Sequence, residues 1–422
     1  MNKVQASIIT IGDELLIGQV IDTNSAFISK ELNKIGIWMK HRMAVGDNWD
    51  DIWEALEESA KVSDIILITG GLGPTADDIT KPLLNKYFGG KMIVHQQTLE
   101  HIKEIFFSTG RPLIESNYKQ AEIPDTCSVL FNKLGTAPGM LFEKNGKLFV
   151  SMPGVPFEMQ YIMNTHVLPY IKARFTLPAI AHKTLTTLDI GESFLAERLK
   201  EYESQLPSHI KLAYLPNVKS VRLRLTVNGS DEQTVENDLN FYFNKLYNTI
   251  EDVVVIRDDK TMSEEVMELL KQSKKSVSTA ESCTGGYIAA SFTEAEGSSS
   301  FFKGGVVAYC NEAKNEVLDV ETEVIEKAGV VSEEAVKQMA QNVRKLLKTD
   351  YSIATSGILG PASVENKPVG TVWIAVANER TVQAENFQFN YNRKRNNEAA
   401  IKFGLNMLRK LIVEDQLLSE KN

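Results

Sequence analysis

Ile65-Ile66-Leu67-Ile68-Thr69-Gly70-Gly71-Leu72-Gly73-Pro74-Thr75-Ala76-Asp77-Asp78 decides how the first third of this chain is read. Its aliphatic run fits a strand buried on both faces, the kind found in parallel sheets covered by helices. The strand empties into a loop with three glycines, and the pattern predicts a helix start near Thr75. Gly70, Gly71 and Gly73 let backbone N–H groups approach a ligand, and a helix N-terminus adds partial positive charge, so the loop suits phosphate. Asp77 and Asp78 could then hold a divalent cation such as magnesium, which prefers carboxylate and phosphate oxygens. No Gly-Lys-Ser/Thr follows, which excludes a P-loop. The plainer alternative is a tight turn with aspartates set against a helix N-terminus.

Outward from this stretch, strand-like and helix-like segments alternate. Val4 to Thr10 reads as a strand, Thr23 as the cap of a helix running toward Gly36, and Trp49 to Val62 as an amphipathic helix. Such alternation implies βαβ units and a largely parallel sheet. Gly12-Asp13-Glu14-Leu15-Leu16 follows the first strand, and Met152-Pro153-Gly154-Val155-Pro156 follows another. Loops at the C-terminal ends of parallel strands gather in one crevice, which adds Glu14 to the candidate metal ligands.

Near Ile171 the texture changes. Strands at 182–188, 210–215, 221–227 and 253–256 and helices at 192–203 and 232–250 give β-α-β-β-α-β, a small α+β module. From Ser263 the α/β alternation returns, with strands at 276–280, 304–309, 351–355 and 370–377 and helices at 263–272, 332–347 and 398–412. Three parts follow, 1–172, 173–257 and 258–422, in keeping with about 150 residues per domain.

Hydrophobic residues make up 43% and charged residues 24%, which excludes a disordered, collagenous or coiled-coil chain. Lys plus Arg is 46 and Asp plus Glu is 55, and the net charge of −9 argues against general nucleic-acid binding. Cys127, Cys283 and Cys310 are too scattered for a disulfide framework or a zinc site, so a reducing compartment is expected. No signal-peptide core and no apolar run of about 18 residues is present. The expectation is a cytoplasmic protein without a membrane segment.

The second constellation is Thr279-Ala280-Glu281-Ser282-Cys283-Thr284-Gly285-Gly286. It follows a short strand and opens a helical stretch. A nucleophile on such a turn is exposed, and N–H groups around Thr284, Gly285 and Gly286 could stabilise an oxyanion. All six histidines lie at or before His209, so the third part contains neither a Ser-His-Asp triad nor a Cys-His pair. A serine nucleophile there must be activated by lysine or tyrosine. Lys314 and Tyr309, in the run Tyr309-Cys310-Asn311-Glu312-Ala313-Lys314, are the candidates. Cys283 reads more plainly as a packed small hydrophobe.

A resemblance enters at this point. GDELLIGQVIDTNSAFISKEL (12–32), TGGLGPTADD (69–78) and MPGVPFEM (152–159) resemble the N-terminal domain of the CinA family, itself similar to the molybdopterin-binding MoaB and MogA proteins. AESCTGG (280–286), GSSSFFKGGVVAYCNEAK (297–314), GVVSEEAV (329–336) and KPVGTVW (367–373) resemble the family's C-terminal domain. The implied fold is α/β throughout: a MoaB/MogA-like parallel-sheet domain, a KH-type α+β middle domain and a C-terminal α/β domain. The implied C-terminal activity is nicotinamide mononucleotide deamidation, needing no cofactor. In the N-terminal domain the resemblance implies metal-dependent cleavage of ADP-ribose or binding of a related nucleotide. Carried over residue by residue, Ser282, Ser299, Tyr309, Lys314 and Ser356 fall on active-site motifs, and Asn311 and Arg393 join the expected substrate contacts. Two departures stand out. Ala362-Ser363-Val364-Glu365-Asn366 replaces a segment where many members carry two glycines, and Asn397 and Glu398 stand where a second arginine is common. A homodimer is the implied assembly. The rival expectation is a non-catalytic accessory protein linked to competence. The middle segment has only Gly191 and Gly229, so the GxxG clamp of RNA-binding KH modules is missing.

Overall fold

The computed structural model describes residues 4–75, 78–363 and 365–420. They fall into two compact units, one within 1–181 and 227–238 and the other within 182–226 and 239–422.

In the first unit the strands are β1 (Gln5–Ile11), β2 (Trp38–Val45), β3 (Ile65–Thr69), β4 (Met92–Val94), β5 (Glu122–Pro124), β6 (Ser128–Leu130), β7 (Gly139–Lys144) and β8 (Lys147–Met152). Six of them form one sheet in the order β2-β1-β3-β8-β7-β6, and β4 pairs with β5 separately. The four strands β2, β1, β3 and β8 run parallel, while β7 is antiparallel to β8 and β6 is antiparallel to β7. Ile65–Thr69 is buried on both faces as expected. Ile65 and Leu67 join Ile28 and Leu32 in one core, and Ile66 and Ile68 join Ile52 and Leu56 in the other. Each such side chain contributes about 1.5–3 kcal/mol on burial. The helix Thr23–Lys34 is capped one residue earlier than expected, because the Asp22 carboxylate accepts from Ser25 N–H at 2.8 Å. Its neighbour Trp49–Val62 forms as read.

The middle sheet contains β9 (Ala179–Leu188), β10 (Ile210–Asn217), β11 (Ser220–Gly229) and β12 (Val254–Ile256), in the order β10-β11-β9-β12. With the helices Glu192–Ser204 and Glu232–Ile250 this gives the β-α-β-β-α-β succession that the sequence pattern indicates.

The third sheet has the order β14-β13-β15-β16-β17. Its strands are β13 (Val277–Glu281), β14 (Phe302–Val307), β15 (Tyr351–Gly357), β16 (Thr371–Ala377) and β17 (Val382–Gln388). β13 runs parallel to both β14 and β15, and β16 and β17 close the sheet antiparallel. Helices Met262–Ser273 and Arg393–Glu420 pack on one face. Helix Glu333–Leu347 covers the other, where Ala280, Ala354, Ala375 and Ala377 let it come close. Among the described residues no helix is long and apolar enough to cross a membrane.

Candidate active sites

Because β1, β3 and β8 are parallel, the chain leaves Ile11, Thr69 and Met152 at one edge of the sheet. The three loops line a single cavity of about 450 Å³. Glu14, Gly70, Gly71, Gly73 and Asp78 reach it, as do Gln120, Thr136 and Glu158, which the motif reading did not single out. Gly70 is irreplaceable here: its φ is +115°, and a Cβ would sit 2.2 Å from the Ile11 carbonyl oxygen.

The loop differs from expectation in one respect. The helix predicted at Thr75 begins at Thr80. In the intervening turn the Asp78 carboxylate accepts from the N–H groups of Gly73 and Thr75, both at 2.8 Å, and from the Thr75 hydroxyl. A side-chain anion thus already holds the two amides that were assigned to a phosphate, and Thr75 serves Asp78 rather than lining the cavity. Asp77 lies outside the described residues. Among the described residues no three His, Cys, Asp or Glu side chains stand together as a metal would need. Of the expected metal ligands, Asp78 and Glu14 both line this cavity.

Behind this cavity the Lys81 ammonium donates to the Gln120 carbonyl at 2.6 Å. Burial pushes its pKa down to about 8, against the opposing pull of Glu122 and Asp78.

The second cavity, about 330 Å³, forms where β13, β14 and β15 end. Ser282, Tyr309, Asn311, Lys314, Ser356 and Arg393 all line it, so six of the expected residues meet at one place. Ser282 is the first residue beyond β13, and its N–H donates to the Thr355 carbonyl at 3.0 Å. Lys314 sits on the short helix Asn311–Glu316 and is 2% exposed, its Nζ donating to the Ala308 carbonyl at 3.0 Å. Burial holds its pKa below the usual lysine range, while Cys310, Cys283 and Glu365 act in the opposite sense. Arg393 opens the last helix and donates to the Gly360 carbonyl at 2.6 Å and to the Tyr309 hydroxyl at 2.9 Å. Ser356 donates its hydroxyl to the Val330 carbonyl at 2.6 Å. Cys283 also borders the cavity, and burial pushes its thiol up to about 12, which keeps it protonated near neutrality.

Four expected residues stay off this cavity. Thr284 is fully buried, its hydroxyl 2.7 Å from both Glu281 and Thr355. Gly285 N–H donates to the Ser282 carbonyl at 3.1 Å and Gly286 N–H to Glu281 at 3.0 Å. These amides are spent on the turn, which corrects the oxyanion role given to them. Ser299 lies on the short turn Ser298–Ser300, and Lys303 donates to its carbonyl.

The residue that motif reading missed is Glu281. It is completely buried, and its carboxylate accepts from Thr284 Oγ1, Gly286 N, Ile288 N and Ala289 N at 2.7–3.0 Å. It caps the helix Tyr287–Thr293 from within the strand and fixes the turn that carries Ser282. The loop that lacks two glycines keeps a glycine-like backbone without them. Glu365 and Asn366 have φ of +54° and +56°, and Glu365 accepts from Val330 N–H at 3.0 Å and from Lys367 Nζ at 3.0 Å.

Three family descriptions match in succession: a probable molybdopterin binding domain over residues 7–173, the damage-inducible protein CinA KH domain over 182–254, and the CinA C-terminal domain over 259–412. A CinA-like protein of Flavobacterium psychrophilum is 43% identical over 417 residues, covering 98% of this chain and 99% of its own. One from Cytophaga hutchinsonii is 43% identical over 97% of this chain and 99% of its own. Among solved structures, the protein CinA of Thermoplasma acidophilum is 35% identical, covers 40% of this chain and 99% of its own, and gives a TM-score of 0.37.

Proposed function

This chain belongs to the CinA family, and from that membership we propose that its C-terminal domain hydrolyses the carboxamide of nicotinamide mononucleotide, releasing ammonia and nicotinate mononucleotide. The observation that carries the reading is that Lys314, buried and with its pKa held below the usual lysine range by that burial, lines the same cavity as Ser282. A lysine that shares its proton easily is the activating partner a serine needs where no histidine is available. Ser282 Oγ attacks the carboxamide carbon and its proton passes to Lys314 Nζ. The tetrahedral adduct collapses as Lys314 returns the proton to the departing nitrogen, and ammonia leaves. Water then adds to the acyl-enzyme by the same route and frees the carboxylate. Tyr309 holds Arg393, and Arg393 offers its guanidinium to the substrate phosphate.

Ammonia release by the full chain tests the proposal. Ser282→Ala should lower kcat by several orders of magnitude and leave substrate binding largely intact. Activity within about tenfold of the parent overturns the serine's role. No ammonia from the parent at high enzyme concentration favours an accessory protein acting through protein partners.

A second reading covers the N-terminal domain, because its three loops share one cavity at the carboxyl ends of parallel strands. We propose a nucleotide of the ADP-ribose type as its ligand, and a homodimer as the assembly in which both domains work.

A further inference from the structure

The N-terminal cavity holds a carboxylate that the glycine-loop reading leaves unused. Glu158 lies in the first turn of the helix Pro156–Ile162, where an acidic side chain ordinarily serves the helix's own N–H groups. Here its Oε2 accepts instead from Asn132 Nδ2 at 2.6 Å, 26 residues earlier in the chain. Asn132 is 2% exposed and fixed twice more, donating to the Ala137 carbonyl at 2.9 Å and accepting from Leu134 N–H at 3.0 Å. Gly135 makes the room: a Cβ there would fall 2.1–2.6 Å from the Glu158 carboxyl atoms. Beside them Gln120 Nε2 donates to Thr136 Oγ1 at 2.8 Å, and both residues border the cavity. Hydrogen bonds hold this wall together, and it presents a carboxylate.

Among the described residues the cavity lining includes no lysine, arginine or histidine, and besides Glu158 its ionisable side chains are the acidic Glu14, Asp47 and Asp78. An ionised carboxylate only accepts hydrogen bonds, and one oxygen of this one is held by Asn132, which leaves Oε1 for donors brought by a ligand. Vicinal hydroxyls supply two such donors, and an acidic side chain against ribose hydroxyls is a recurrent way for nucleotide-binding sheets to hold the sugar. Burial also lifts the Glu158 pKa, and hydrogen bonds from incoming hydroxyls favour its charged form as the one from Asn132 does.

We propose that Glu158 is the ribose-recognising residue of the N-terminal cavity, its Oε1 accepting from the vicinal hydroxyls of a ribosyl phosphate. The assignment rests on the nucleotide reading of that cavity. The test is calorimetric titration of the full chain with ADP-ribose, and then with ribose 5-phosphate and 2-deoxyribose 5-phosphate. The parent should prefer ribose 5-phosphate over its 2-deoxy form by about 10-fold or more, the effect of one hydrogen bond to a charged group. Glu158→Gln keeps an oxygen for Asn132 but turns an amide N–H toward the ligand, and it should bring that ratio to within about threefold. Glu158→Asp, which keeps the charge, should retain part of the preference if the longer-reaching Gln variant proves unstable. Suppose the parent binds ADP-ribose but shows no preference between the pentose phosphates, or the variants keep the parent's ratio. Then the Glu158 assignment fails and the nucleotide reading stands. If the parent binds none of the three compounds, the nucleotide reading falls and takes the assignment with it.

Discussion

Glu281→Ala should unfasten the turn that presents Ser282. The carboxylate accepts from four donors, and they differ in what replaces it. Thr284 Oγ1 keeps Thr355 as a partner, and the half-buried Gly286 and Ala289 amides can take water. Ile288 is fully buried, so its N–H is left unpaired at about 1–3 kcal/mol. Loss of the helix cap adds about 1 kcal/mol. The sum, about 2–4 kcal/mol, is a large part of the ~5–15 kcal/mol that holds an ordinary domain together. Glu281→Gln should cost less, because one oxygen can still serve the three donors on Oε2 while its amide faces only the Ala289 N–H. Amide hydrogen exchange over the helix Tyr287–Thr293 reads this directly. The Ala variant should exchange about 30-fold faster or more, the Gln variant at an intermediate rate, and deamidation should fall with both. Exchange within about threefold of the parent in the Ala variant would refute the capping argument.

Cys283→Ala should leave deamidation nearly unchanged, since a thiol pushed up to about 12 supplies little thiolate; a loss comparable to that of Ser282→Ala would return the thiol to the mechanism. Lys81 binds its proton more weakly folded than unfolded, so the unfolded chain holds more protons between about 8 and 10.5, and stability rises with pH across that window. The rise is up to ~3 kcal/mol, and Lys81→Met should flatten it in urea unfolding at pH 7, 9 and 10.5; an unchanged slope contradicts the burial argument. Asp78→Ala releases the Gly73 and Thr75 amides and should disturb ligand binding in the N-terminal cavity while sparing ammonia release by the same protein. A parallel loss of deamidation would show that the two sites are not independent.

Regular elements were legible where one physical signal dominated. Ile65–Thr69 and Trp49–Val62 carry unbroken burial and helical periodicity, and both lie where the pattern puts them. β2 and β17 escaped notice because each is an edge strand, so polar residues interrupt it at exposed positions. Motif chemistry located Ser282, Lys314 and Tyr309, and parallel strands explain why residues so far apart along the chain meet. It misassigned the amides of Gly285 and Gly286, because only the folded turn reveals that Glu281 and the Ser282 carbonyl take them. Glu158 belongs to the stretch MPGVPFEM (152–159), yet its partner Asn132 and the space at Gly135 become visible only in three dimensions.

Lys81 and Lys314 are the buried lysines among the described residues, 7% and 2% exposed. Both have their ammonium groups tied to backbone carbonyls. Reagents that acylate amines, and solid supports that couple through them, need a free amine in contact with solvent. The surface lysines will therefore react first, and the two buried ones last or only after unfolding. A biosensor or reactor bed that anchors this protein through its lysines can hold it firmly and still leave Lys314 chemically intact.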